Sequence, residues 1–255
     1  MPLLSCLEAA ALIPADAVTV LLVGSRALGW QHARSDLDVV VVSTAPWSGP
    51  VTDRQKVALP EGTMGLVVTD VDGVLCEVKY WTEAQTQDLL TKVSWSEWDA
   101  GSTGDSMSTN ELLLIERLTS AVPLSGKDWW ADVADQVRQS AARSQAALAC
   151  LTHADDRLDD VSGLLESGDV HGAVVALQRA FVHVTDALTA SLGCPGTDSK
   201  WRPRRIEAAN SDVLSAAEYW RTTTMQDFDP QHPEAWVDRT IFRCSQIMLD
   251  IRLGR

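Results

Sequence analysis

Two aspartates separated by a single leucine, Asp36 and Asp38, stand at the front of a run that is otherwise apolar, Leu37-Asp38-Val39-Val40-Val41-Val42. Four valines in succession predict a buried strand. Alternate side chains of a strand share a face, so the two carboxylates project together. Carboxylates held that close repel each other and are costly to bury uncompensated. A hard divalent cation that prefers oxygen ligands, Mg²⁺ or Mn²⁺, resolves both problems; the plainer alternative is a strand end whose carboxylates lie in water. A third acid, Glu77, interrupts a second apolar run, Val74-Leu75-Cys76-Glu77-Val78-Lys79-Tyr80-Trp81. There it would either join the aspartates or pair with Lys79 on an exposed sheet face.

Upstream, the apolar run over residues 18–23 stops at Gly24-Ser25. Glycine allows a ligand close to the backbone, and exposed N–H groups beside a serine hydroxyl suit a phosphate. Arg26 and Arg34 bracket the loop that follows, either as phosphate contacts or as partners in surface ion pairs, while His32 in the same loop reads as exposed. Far downstream, Lys200-Trp201-Arg202-Pro203-Arg204-Arg205 places four cations in six residues of a chain whose net charge is −14. Lys200, Trp201 and Arg202 would offer charge to a polyphosphate and a ring to a base. The alternative is a solvated basic turn that neutralises acidic helix ends. Glu111 and Glu116 fall on a later helical stretch, as substitute bases or as an exposed helix face.

Gly24-Ser25-x-Ala27-x-Gly29 followed by Ser35-Asp36-Leu37-Asp38 resembles the signature of the nucleotidyltransferase superfamily that includes DNA polymerase beta. The similarity is strongest to small stand-alone members of the kanamycin, streptomycin and lincosamide type, and the motif part spans residues 18–81. The resemblance implies that Asp36, Asp38 and Glu77 bind two Mg²⁺ ions, with Mn²⁺ a possible replacement. It implies that Gly24, Ser25 and Arg26 contact the phosphates of an NTP, ATP being the expected one, with Lys200, Trp201 and Arg202 adding a basic edge. Glu77 would be a metal ligand, the base for the acceptor hydroxyl, or both. The implied reaction moves a nucleoside monophosphate, AMP foremost, onto a hydroxyl of a small molecule and releases pyrophosphate. The acceptor would be an aminoglycoside-like compound or a natural-product intermediate. Two other readings stand beside it: AMPylation of a protein partner, and a non-catalytic nucleotide-binding module.

These residues need a sheet to hold them. Strands are expected over residues 18–23, 36–43, 66–69 and 74–81, with Asp70-Val71-Asp72-Gly73 as a hairpin turn and residues 45–62 as a connecting loop. From about residue 82 the apolar period becomes helical. Helices are expected over residues 109–121, with Thr109 as N-cap, and over 128–151, 154–166, 169–192 and 234–253. The fold class is therefore α+β: a small mixed-sheet catalytic domain, residues 1–108, followed by an all-helical bundle, residues 109–255. Apolar stripes on the long helices serve a bundle core or a homodimer, so the chain is expected to be a monomer or homodimer. His171 and His183 lie in helical patterns and read as packing residues or as part of a solvated face.

Composition narrows the partners. A net charge of −14 repels a polyphosphate backbone and excludes long nucleic acid, while mildly favouring a cationic acceptor. Five scattered cysteines with no CxxC predict reduced thiols and a cytoplasmic setting instead of a disulfide framework or zinc site. No apolar run reaches bilayer length, and residues 1–14 contain Glu8 and no basic residue, so they read as a first helix and not a leader.

Overall fold

The computed structural model describes residues 2–101, 107–196 and 198–255. The chain divides at Ser140, into a sheet-containing unit that ends there and a helical unit from Ala141 to Arg255.

The first unit is built on six strands: β1 (Ala17–Val23), β2 (Leu37–Ser43), β3 (Asp53–Lys56), β4 (Thr63–Val71), β5 (Val74–Thr82) and β6 (Val122–Ser125). Their order across the sheet is β3-β4-β5-β2-β1-β6. β2 and β5 run parallel at the centre, and every other pair is antiparallel. Two-faced burial of β2 explains its unbroken valines: Val39, Val40, Val41 and Val42 are all inaccessible to solvent. On one face, Val39 and Val41 with Cys76, Val78 and Tyr80 pack among Cys6, Leu7 and Leu12 of and beyond helix α1 (Leu3–Ala9). Trp47 stacks on Tyr80 with ring centroids 4.4 Å apart.

The opposite face holds the candidate chemistry. Register fixes this: Asp38 lies beside Glu77 and Val40 beside Lys79 across the parallel pair, while Val68 faces Glu77 across the β4–β5 hairpin. Strand β1 ends in a single helical turn, α2 (Gly24–Ala27). Helices α3 (Glu83–Lys92), α4 (Trp95–Asp99), α5 (Thr109–Ser120) and α6 (Lys127–Gln139) complete this unit.

The division at Ser140 differs from the expected division at residue 108. After α5 the chain returns to the sheet, because β6 pairs with the outer edge of β1, and α6 then packs back against that region. A four-residue strand containing Pro123 lies below the length at which alternation can be read, so β6 is silent in the sequence pattern. Two further expectations shift for local reasons. The helix expected over 128–151 is two helices, because the backbone turns extended at Ser140, whose hydroxyl donates to the Val137 carbonyl. The cap of α5 is Ser108, not Thr109: the Ser108 hydroxyl accepts from the Glu111 N–H while the Glu111 carboxylate accepts from the Ser108 N–H. The expected loop 45–62 contains β3, a charged edge strand with no apolar alternation to betray it.

The second unit is helical throughout: α7 (Ala142–Glu166), α8 (Val170–Ser191), a 3-10 turn at Ser199–Trp201, α9 (Arg202–Ala209), α10 (Ala216–Thr223) and α11 (Pro233–Asp250). The three residues between α7 and α8 make an antiparallel hairpin. Its core of Leu177, Phe181, Val184 and Leu188 meets Trp236, Val237 and Ile247 of α11.

Candidate active site

The site is assembled where β1 leaves the sheet. Gly24 has φ +67°, and a Cβ added there would lie 2.3 Å from Asp38 Oδ2. The glycine is required twice over, by its left-handed backbone and by the approach of that carboxylate. Since Val23 pairs with Asp38 across the β1–β2 ladder, the Gly24-Ser25 turn sits directly against the aspartate. Arg26 does not stand free for a phosphate. Its guanidinium donates to the main-chain carbonyls of Ser35, at 2.7 Å, and Asp36, at 2.9 Å. Arg26 therefore fixes the loop that delivers Asp36 and Asp38 to the sheet, which corrects its expected role as a ligand contact.

Asp36 is half-buried just before β2 starts, and Asp38 is the second residue of that strand. Glu77, one strand over, is salt-bridged to Lys79 at 3.3 Å. Those two share a face of β5, as residues two apart must, and Lys79 is only 7% exposed. The pairing weighed in the sequence is thus present, in a side chain buried and not on an open surface. Sequence reasoning missed the second cation. Arg117 of α5 reaches the cluster, its Nη2 donating to Asp38 Oδ1 at 3.2 Å. Leu114 and Leu118, both buried, seat α5, and its capping box anchors the helix start.

Burial dominates the electrostatics. It raises the Asp38 pKa above the ordinary carboxylate value; Arg117 opposes the shift, and the negative charges of Asp36 and Glu77 reinforce it. Burial likewise lowers the Lys79 pKa, helped by Arg117 and resisted by Glu77 and Asp38. The Cys76 thiol, next to Glu77 along β5, is pushed up to about 11, by burial first and then by the three carboxylates. The donors are hard oxygens, the kind a divalent cation prefers. Among the described residues, no three His, Cys, Asp or Glu side chains are gathered into a group that could enclose a metal ion. Val68 and Leu75, 38% and 54% exposed, flank Glu77 on the same sheet face and form a small apolar shelf.

The remaining candidates have partners of their own. Glu111 is wholly buried. It pairs with Lys92 at 3.0 Å and accepts from the N–H groups of Ala58 and Ser108, so it ties α5 to α3 and the β3–β4 region and is no base. In the helical unit the basic run divides. Arg202 forms two bonds to Asp186, at 2.7 and 2.8 Å, and Arg205 adds a third at 3.0 Å. Both arginines are buried, which corrects the expectation that Arg202 presents its charge to a phosphate. Lys200 pairs with Asp198 at 2.9 Å and, with Arg204, lies over the Trp201 ring. His183 sits with its ring centroid 5.4 Å from that of His153, a packing role as expected. A surface cleft between α3 and α6, lined by Glu83, Leu90, Trp129 and Asp132, includes none of the candidate residues.

Among the described residues no helix is long and apolar enough to cross a membrane. No protein-family model and no curated protein matches the chain. Among solved structures, the chain is similar to the crystal structure of a nucleotidyltransferase-like protein from Exiguobacterium sibiricum 255-15. The TM-score is 0.52 at 12% identity, covering 97% of this chain and 73% of that one. At this identity the likeness is one of fold: a mixed six-stranded sheet followed by helices, the architecture of a nucleotidyltransferase-like protein.

Proposed function

We propose that the chain is a divalent-cation-dependent nucleotidyltransferase that moves a nucleoside monophosphate, AMP foremost, from an NTP to a hydroxyl of a small molecule. The observation that carries the proposal is the juxtaposition at Gly24. A tight turn with no room for a side chain lies against Asp38, with Asp36 two residues before it and Glu77 beside it in register. Mg²⁺ or Mn²⁺ held by these carboxylates would supply charge neutralisation at the reacting phosphate and a more acidic acceptor hydroxyl. Ser25 and the Gly24 backbone would hold the phosphates. Glu77, oriented by its ion pair with Lys79, would receive the hydroxyl proton. The Val68–Leu75 shelf favours an acceptor with an apolar part next to its hydroxyl, and the acidic surroundings favour one that is also cationic. The cytoplasm, which supplies NTP and keeps thiols reduced, is the setting proposed.

The test is pyrophosphate release with each NTP and Mg²⁺ across a panel of amino-alcohol and aminosugar acceptors. Asp36→Asn and Glu77→Gln should silence it while preserving the far-UV spectrum; full activity in either variant would sink the assignment. One observation favours a second reading, a nucleotide-binding module without turnover: Asp38 and Glu77 both stand in ion pairs to side-chain cations. Nucleotide binding with no pyrophosphate from any acceptor would select it. Label from α-labelled ATP landing on a lysate protein would select AMPylation of a partner.

A further inference from the structure

Helix α11 carries two apolar faces. One is core: Trp236, Val237, Cys244 and Ile247 are buried within the helical unit. The other is open. Phe242 and Leu249 are 65% and 76% exposed, the highest values for any large apolar side chain among the described residues. They stand seven residues apart on one helix, so they share a line along its surface, and the exposed Ala235 continues that line seven residues back. Single exposed apolar residues need no explanation, but a row of them opposite a buried face marks an interaction surface.

The charges beside the row indicate what covers it. Arg239 and Asp250, both exposed, lie on the same flank, about 60° and about 80° round the helix from Phe242 at about 100° per residue. Two copies of α11 laid antiparallel about the midpoint between Phe242 and Leu249 bring each Phe242 against the other copy's Leu249. That two-fold operation also sets like flanks together, so Arg239 of each copy comes within one turn of Asp250 of the other. Ser245 and Gln246, exposed at the centre of the row, can hydrogen-bond across it. A single register therefore matches apolar with apolar and cation with anion, twice over. The Arg239 Nη2 donates to the Asp227 carbonyl at 3.0 Å, which steadies the guanidinium on its flank. We propose that this face of α11 pairs the chain with a second copy of itself, in an antiparallel two-fold dimer. The inference does not depend on the reaction proposed above.

The test is sedimentation equilibrium of the full chain across the micromolar range, where the parent should approach twice the chain mass. Phe242→Glu and Leu249→Glu should each weaken pairing about a hundredfold. Arg239→Glu and Asp250→Arg should each weaken it about tenfold, and the two together should recover most of that loss, because the pair re-forms with its signs exchanged. Leu75→Glu, at an exposed apolar position of the sheet unit, should stay at the parent's value. Should the Glu variants not fold, p-benzoylphenylalanine in place of Phe242 decides: in a mixture of isotopically light and heavy chains, its photo-crosslink should join a light copy to a heavy one at the Leu249 end of α11. A parent that stays monomeric throughout, a dimer untouched by Phe242→Glu, or crosslinks confined to one chain or to another segment overturns the proposal. Failure of the charge rescue overturns the antiparallel register.

Discussion

Asp38 is a carboxylate that the surrounding fold disfavours in its charged form. Burial raises its pKa, and Arg117 and Lys79 do not cancel the effect of burial and of the acids beside it. The sign follows from proton counting. With a pKa above the ordinary 3.8, the folded chain binds more protons than the unfolded one, so this group's contribution to stability falls as pH rises through that window. At neutral pH the metal-free protein carries the full penalty. Asp38→Asn removes it, so the variant should melt no lower than the parent at pH 7 while transfer falls about 10²-fold or more; the difference in melting temperature should shrink as pH drops below 4. A lower melting temperature at pH 7 would mean that the Arg117 pair outweighs burial. Gly24→Ala tests the other half of the juxtaposition. The left-handed backbone alone should cost about 1–2 kcal/mol, and the new Cβ must displace the Asp38 carboxylate. Denaturant unfolding reads the first effect, and loss of Mn²⁺ uptake reads the second.

Elements matter here for what they deliver. Helix α5 brings Arg117 to the sheet, and it is held by Glu111, which joins the Ser108 cap, the Ala58 N–H and Lys92. Removing that carboxylate with Glu111→Ala leaves Lys92 and two N–H groups without it. A loss of about 3–5 kcal/mol is expected, of the size found when one partner of a buried ion pair is deleted, measured by denaturant unfolding of the full chain. In the helical unit the corresponding tie is Asp186, whose carboxylate takes Arg202 and Arg205 together and so clamps α9 onto α8. Asp186→Ala leaves two buried guanidinium groups facing each other and should cost a similar amount. Restoring neutrality with the triple change Asp186→Leu, Arg202→Met and Arg205→Met should return most of it. Failure of that rescue would show that the network does more than balance charge.

At the scale of the molecule, the division at Ser140 makes α5, β6 and α6 part of the sheet unit. A fragment of residues 1–140 should therefore melt cooperatively in circular dichroism, whereas one of residues 1–108 should not, having lost the buried Leu114 and Leu118 and exposed the edge of β1. Equal cooperativity of the two fragments would restore the earlier boundary. Local chemistry explains why so much of this chain is readable in one dimension. Valine runs, the Gly24-Ser25 stop and the end of an apolar period all carry their meaning within a few residues, so the central strands and the helices α8 and α11 follow from the amino-acid order, whereas the break between α6 and α7 does not. The Glu77–Lys79 pair is one of two readings the sequence leaves open, and the structure shows it. The tertiary structure alone decided which cation meets Asp38, since Arg117 lies 79 positions away, and which residues of the basic run face inward to Asp186. Such contacts depend on how helices return to a sheet or to each other. No spacing rule encodes that return; it is set by the packing of side chains distant in sequence.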